Sequence, residues 1–165
     1  MRLIWTTDLH LNFADRHAYV RLISAIRDLR GDALLIGGDT GEAHSFPGYV
    51  DRLQSAVGLP VYMVLGNHDF YGDSIANVSA SMINLTRLNP KISWLSRQPA
   101  VLSSTICLAG LEGWGDAGYG DYFHSRAQIA DFDLIEDFKG LSIDDRFSKL
   151  KELGASVNAT ALLRV

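Results

Sequence analysis

Three short polar blocks, Asp8-Leu9-His10, Gly37-Gly38-Asp39 and Gly66-Asn67-His68-Asp69, each close an apolar run. No other feature constrains the fold as tightly. The runs before them are Arg2-Leu3-Ile4-Trp5-Thr6-Thr7, Ala33-Leu34-Leu35-Ile36 and Val61-Tyr62-Met63-Val64-Leu65. They are short and rich in β-branched, aromatic or aliphatic residues, and they read as buried strands. Between the first two, Tyr19, Leu22, Ile23, Ile26 and Leu29 recur three and four apart, a helix over Ala14 to Arg30 that Gly31 stops. Between the second and third, a helix from about Pro47 carries Tyr49, Val50, Leu53 and Val57 on one face. Asp39 follows Asp8 by 31 residues and Asn67 follows Asp39 by 28, each step about one βαβ crossover. Right-handed crossovers predict a parallel sheet covered on both faces, with all three blocks at its carboxyl end.

Downstream, a third helix over Ser74 to Leu88 is closed by Asn89-Pro90. Ile92 to Leu95 and Val101 to Leu111 read as strands of a second sheet, followed by a glycine-aromatic loop from Gly113 to Gly120. A last helix from about Asp144 places Phe147, Leu150, Gly154, Val157 and Ala161 at helical spacing and runs on toward Val165. At 165 residues the chain is long enough for one well-cored domain, residues 1–165. A net charge of −4 without a basic face excludes extended tracking along nucleic acid. No apolar run reaches the ~20 residues of a membrane span. The first strand starts within two residues of Met1, which leaves no room for a signal peptide. The expected compartment is the cytoplasm. Cys107 is the only cysteine, so there is no thiolate cage, and it reads as a buried small apolar residue.

Carboxylates, imidazoles and a carboxamide at consecutive strand ends form a metal-ligand inventory. Oxygen and nitrogen donors without thiolate suit hard to borderline divalent ions. Asp8 and His10 lie two apart and share a side if the extended conformation persists; a surface acid and a hydrogen-bonded histidine is the alternative. Gly37-Gly38 allows close approach to the backbone before Asp39, although such a block is also an ordinary turn. Asn67, His68 and Asp69 offer a neutral oxygen, an imidazole and an acid able to orient that ring. His17 and His44, at or beside helix starts, read as solvent-facing.

Together the blocks resemble the first three signature motifs of the calcineurin-like metallophosphoesterase superfamily, over Met1 to about Phe70. Trp114-Gly115-Asp116 and the stretch from Asp131 to Phe138 resemble its bacterial members more weakly. The resemblance implies an α/β fold, the N-terminal part of a four-layer α/β/β/α sandwich. It implies that Asp8 and His10 bind a first metal, that Asp39 bridges two metals and that Asn67 binds the second. His68 would act on the leaving oxygen as a catalytic residue, with Asp69 orienting its ring. The implied activity is hydrolysis of a phosphoester by a metal-activated hydroxide, with Mn, Fe or Zn as the ion.

The family completes its site with a later histidine after another strand and with a Gly-His-x-His motif, and this chain matches neither. His124 follows a loop rather than a buried strand. The ligand count therefore leaves at most one ion tightly held. The chain reads as C-terminally truncated, with an incomplete second sheet open to self-association along Val101 to Leu111. The alternative is a catalytically incompetent metal-binding or assembly module; complementation by another chain is a third reading. No residue marks the class of phosphoester.

Overall fold

The computed structural model describes residues 1–162, with side chains to residue 157. Four parallel strands carry it, β1 (Leu3–Thr6), β2 (Ala33–Ile36), β3 (Val61–Met63) and β4 (Ile92–Trp94), in the spatial order β1-β2-β3-β4. They are joined by α1 (Arg16–Asp28), α2 (Phe46–Val57) and α3 (Ile75–Leu88). Across the sheet Ile4 faces Leu34, Leu34 faces Val61, and Val61 faces Ile92. That row is buried, as are Ile36 and Met63 in the next one. In the alternate row Trp5 is 73% exposed, whereas Leu35, Tyr62 and Ser93 are half-buried.

The crossover helices thus lie on one face, not on both, and the second face is only partly covered. The strand order steps the same way each time, so every right-handed crossover delivers its helix to the same side. There α1 packs beside α2 and α2 beside α3. Phe46, Val50, Leu53, Val78 and Met82 fill the layer between helices and sheet, each contributing about 1.5–3 kcal/mol of burial.

The strand at Ile92 also differs from expectation. It pairs with β3 as the fourth strand of the first sheet, because α3 is long enough to bring the chain back parallel. Only β5 (Ala100–Ser103) and β6 (Ile106–Leu108) form a separate sheet, an antiparallel hairpin. Cys107 is exposed there, opposite Val101, which is 77% exposed. The expected burial of this cysteine fails because that side of the two-stranded hairpin faces solvent.

Local chemistry sets the helix ends. Asp15 Oδ1 accepts the Ala18 amide at 2.7 Å to cap α1, and Ser74 Oγ accepts that of Asn77 at 3.2 Å to cap α3. Pro47 sits in the first turn of α2, which ends on left-handed Gly58. The left-handed residue after α1 is Arg30 (φ 48°), not Gly31. Gly31 serves close packing, since a Cβ there would lie 2.5 Å from the Ile4 side chain.

Beyond the hairpin, Glu112 Oε1 accepts the Trp94 indole N–H at 2.7 Å and the Ser96 hydroxyl at 2.6 Å, which ties the glycine-aromatic loop to the end of β4. The chain then forms α4 (Asp131–Leu134) and α5 (Ile143–Leu162). Fully buried Ile135 and Phe138 anchor this segment in the main core. Ser142 Oγ accepts the Asp145 amide and so caps α5. Of the periodic positions expected on this helix, Ala161 falls beyond the described side chains, and 163–165 lie outside the described residues. Among the described residues no helix is long and apolar enough to cross a membrane.

Candidate metal centre

The loops leaving β1 and β2 run side by side beyond the sheet. The amides of Asp8, His10 and Leu11 donate to the carbonyls of Gly38, Asp39 and Thr40 at 3.1, 2.9 and 2.9 Å. Three non-glycine residues here are left-handed: Asp8 (φ 54°), His10 (φ 41°) and Asp39 (φ 53°). Each such residue costs roughly 1–3 kcal/mol, and the conformation persists only where the surroundings over-determine it.

Asp69 supplies much of that determination. Its carboxylate is fully buried. Oδ2 accepts the amides of Asp39 and Gly66 at 2.9 and 3.0 Å, and Oδ1 those of Thr40 and Gly41 at 2.9 and 3.1 Å. One acid therefore locks the loop after β2 to the loop after β3. This corrects the role expected from sequence, because among the described residues it is backbone amides, not the His68 ring, that take up Asp69. Burial pushes its carboxyl up to about 6 from the ordinary 3.8, against the pull of the Gly66, Gly41 and Thr40 amides.

A carboxyl raised in this way takes up a proton on folding. Its stabilising share is complete below the unfolded value of 3.8 and is lost as pH rises through about 6. Asp69→Ala leaves four buried amides without their acceptor, at a cost of about 3 kcal/mol or more. Urea denaturation should show that cost to be larger at pH 5 than at pH 7.5, by about 1.4 kcal/mol, the worth of one pK unit. A cost that grows toward pH 7.5 contradicts the assignment.

On this frame His10, Asp39 and His68 come together, with one donor atom from each inside 4.8 Å of the others. His10 Nε2 lies 3.9 Å from Asp39 Oδ2, and two ligands each ~2.0–2.2 Å from one ion can span that gap. The His10 and His68 rings meet edge to face at 4.6 Å. Asp39 Oδ1 also accepts the His68 amide at 3.1 Å, which fixes its carboxylate against the third loop. The other ring nitrogen, His10 Nδ1, is buried without a hydrogen-bond partner among the described residues, and an ion at Nε2 leaves it so. Two imidazoles and a carboxylate are the right donors for Mn, Fe or Zn, so the residues present fit such an ion.

The other sequence-predicted residues are placed differently. Asp8 reaches the same sheet end but is exposed, and its Oδ2 accepts the Thr7 hydroxyl at 2.6 Å. Asp8 and His10 are both left-handed rather than extended, so the alternation of an extended strand does not apply to them. Asn67 stands next to the cluster, yet its Nδ2 donates to Asp131 Oδ1 at 2.7 Å and to Tyr71 Oη at 2.9 Å. His17 and His44 are exposed as expected. His124 pairs with Asp121 at 2.9 Å on an exposed loop. Tyr71 and Asp131 are the two residues of this edge that the motifs did not reveal. Tyr71 could be suspected one helical turn after Asn67, whereas Asp131 lies 64 residues beyond it, at the start of a stretch that the family resemblance marks only weakly.

A cavity of about 880 Å³ opens beside Gly66 and Asn67, walled by Trp114, Phe132, Asp131 and Arg146 among others. It adjoins the three-residue cluster rather than enclosing it.

Parallel strands whose carboxyl ends gather His10, Asp39 and His68 place the chain among α/β proteins with a candidate metal centre at the sheet edge. The model of the calcineurin-like phosphoesterases matches residues 1–153, and the chain belongs to that family. Among solved structures, TT1561 of Thermus thermophilus is similar, with 18% identity and a TM-score of 0.56. The match covers 73% of this chain and 52% of that one. The chain thus spans about half the length of that protein, and at this identity the likeness concerns the fold. No curated protein matches the chain.

Proposed function

We propose that the chain is a metal-dependent phosphoesterase. The observation that carries this reading is the convergence of His10, Asp39 and His68 at one sheet edge in a calcineurin-like phosphoesterase. His10 and Asp39 would hold the ion, with the Asn67 carboxamide oxygen as a further ligand, and we take the ion to be Mn, Fe or Zn. When bound, a divalent ion supplies Lewis acidity toward a phosphoryl oxygen and lowers the pKa of water. Asp39 is steadied for this by the His68 amide, and its own amide by Asp69. His68, stacked on Tyr71 at 4.3 Å, keeps its ring where it can pass a proton to a leaving oxygen. The cavity beside Asn67 gives the alcohol portion of a substrate its room. Cytoplasmic residence is proposed alongside, since the one thiol, Cys107, is free.

A second reading has its own support. Among the described His, Cys, Asp and Glu residues, Asp8 does not join the three whose donor atoms gather within 4.8 Å. That favours a chain able to hold an ion without turning over a phosphoester.

His68→Asn separates the roles. With Mn²⁺ added, the full chain should hydrolyse a generic aryl phosphoester and lose that activity to EDTA. The variant should lose about 10²–10⁴-fold in turnover while Mn²⁺ affinity changes little. Equal losses in both would make His68 a ligand. Tight Mn²⁺ binding with no hydrolysis by the unmodified chain would establish the second reading.

A further inference from the structure

Asn67, Tyr71 and Asp131 form a closed triangle of hydrogen bonds. Asn67 Nδ2 donates to Asp131 Oδ1 at 2.7 Å and to Tyr71 Oη at 2.9 Å, and Tyr71 Oη donates to Asp131 Oδ1 at 2.7 Å. The chemistry of the groups leaves one assignment. An ionised carboxylate only accepts, so the carboxamide must present its NH₂ to Asp131 and the phenol must aim its O–H there. The phenol oxygen is then free to accept the second amide hydrogen. Both hydrogens of the Asn67 side chain are thereby used, and its Oδ1, the atom with which an asparagine ligates a metal, is the end turned away from the triangle. The same phenol ring lies against His68, with centroids 4.3 Å apart and planes at 34°. Asp131 thus touches the settings of both members of the Asn67-His68 pair. Asp69 does neither, since four amides take up its carboxylate.

We propose that Asp131 is the positioning acid of this site: it orients the Asn67 carboxamide for metal ligation and, through Tyr71, holds the face on which the His68 ring rests. The inference rests on the metal-dependent reading above. It assigns to a residue of α4 the orienting role that the sequence pattern gives to Asp69. An asparagine is a good test because it keeps the shape and loses the compulsion: its amide can turn its NH₂ toward Asn67 and flip that carboxamide.

The test has two arms on the full chain, using Asp131→Asn, Tyr71→Phe and Asn67→Ala. In the first, the Asn67 side-chain NH₂ resonances are followed by ¹⁵N NMR without metal. Asp131→Asn should shift them and speed their exchange, while the Thr40 and Gly41 amides stay protected, which shows the Asp69 frame intact. In the second, Mn²⁺ affinity is read by water-proton relaxation. Asp131→Asn should weaken it about 10–100-fold, the usual effect of losing a partner that orients a ligand. Tyr71→Phe should weaken it less than tenfold, because the Asp131–Asn67 bond survives.

Unchanged Asn67 resonances in Asp131→Asn overturn the proposal whatever the metal does. So does wild-type Mn²⁺ affinity in Asp131→Asn when Asn67→Ala weakens binding, and in that case the metal reading stands. If the unmodified chain binds no Mn²⁺, the metal reading fails, and ligand orientation by Asp131 fails with it.

Discussion

Asp39→Ala is expected to abolish tight divalent-metal binding, and any hydrolysis with it. Asp39 is the only carboxylate of the three-donor cluster, 3.9 Å from His10 Nε2 and joined to the third loop through the His68 amide. Its removal takes away the negative charge that compensates the ion and leaves His10 without its charged partner ligand. Losing a partner that merely orients a ligand costs about 10–100-fold in affinity, so losing the charged ligand itself should exceed about 100-fold. Calorimetric titration with Mn²⁺ reads this directly. The fold should survive, because Asp69 grips the backbone amide at position 39 and not its side chain. A folded Asp39→Ala chain that binds Mn²⁺ as tightly as the unmodified one would move the centre elsewhere.

A single methyl group should do comparable damage from the neighbouring loop. A Cβ on Gly66 would lie 2.1 Å from Asp39 Oδ1 and 2.7 Å from the Asp39 amide nitrogen. Neither can yield easily. The amide is bonded to Asp69, and the carboxylate accepts from His68. Gly66→Ala should therefore cost about 1–3 kcal/mol as an overpacked site. It should also displace the carboxylate and weaken Mn²⁺ binding at least about tenfold. Ala at exposed Gly48, where a Cβ would meet nothing within 4 Å, is the control for the added methyl. Full metal affinity in Gly66→Ala would show that the loops are more yielding than their hydrogen bonds imply.

Much of this was legible before any coordinates. The period of the apolar residues gave β1 to β3 and the three helices, because burial on a sheet or a helix face leaves a regular trace. The crossover spacing put His10, Asp39 and Asn67-His68 at one sheet end, since right-handed βαβ units always return to the same edge. What escaped was whatever depends on conformations without a period. Left-handed Asp8 and His10 depart from the simple alternation of an extended strand, and no local pattern announces that departure. The four amides on Asp69 and the reach of Asp131 across the molecule are tertiary facts. A string of residues displays neither: it points to Asp69, one position after His68, whereas the acid that bonds the Asn67 carboxamide lies 64 residues beyond it. The one-sided placement of the helices was in principle derivable from a strand order that never reverses, but that order is not itself written in local pattern.

The Asp69 anchor also sets a sequence of events during folding. Three of the amides it holds belong to residues 28 to 30 positions earlier in the chain. The loop after β2 therefore stays without its acceptor until α2 has formed and β3 has docked, and closing that length of chain carries its entropic cost before any reward. The left-handed turns at 8, 10 and 39 belong to the late folding chain, not to its nucleus. An ion is therefore expected to find its cradle only once these loops have met. Bound to the finished edge, it would add its binding energy to the folded state and slow unfolding.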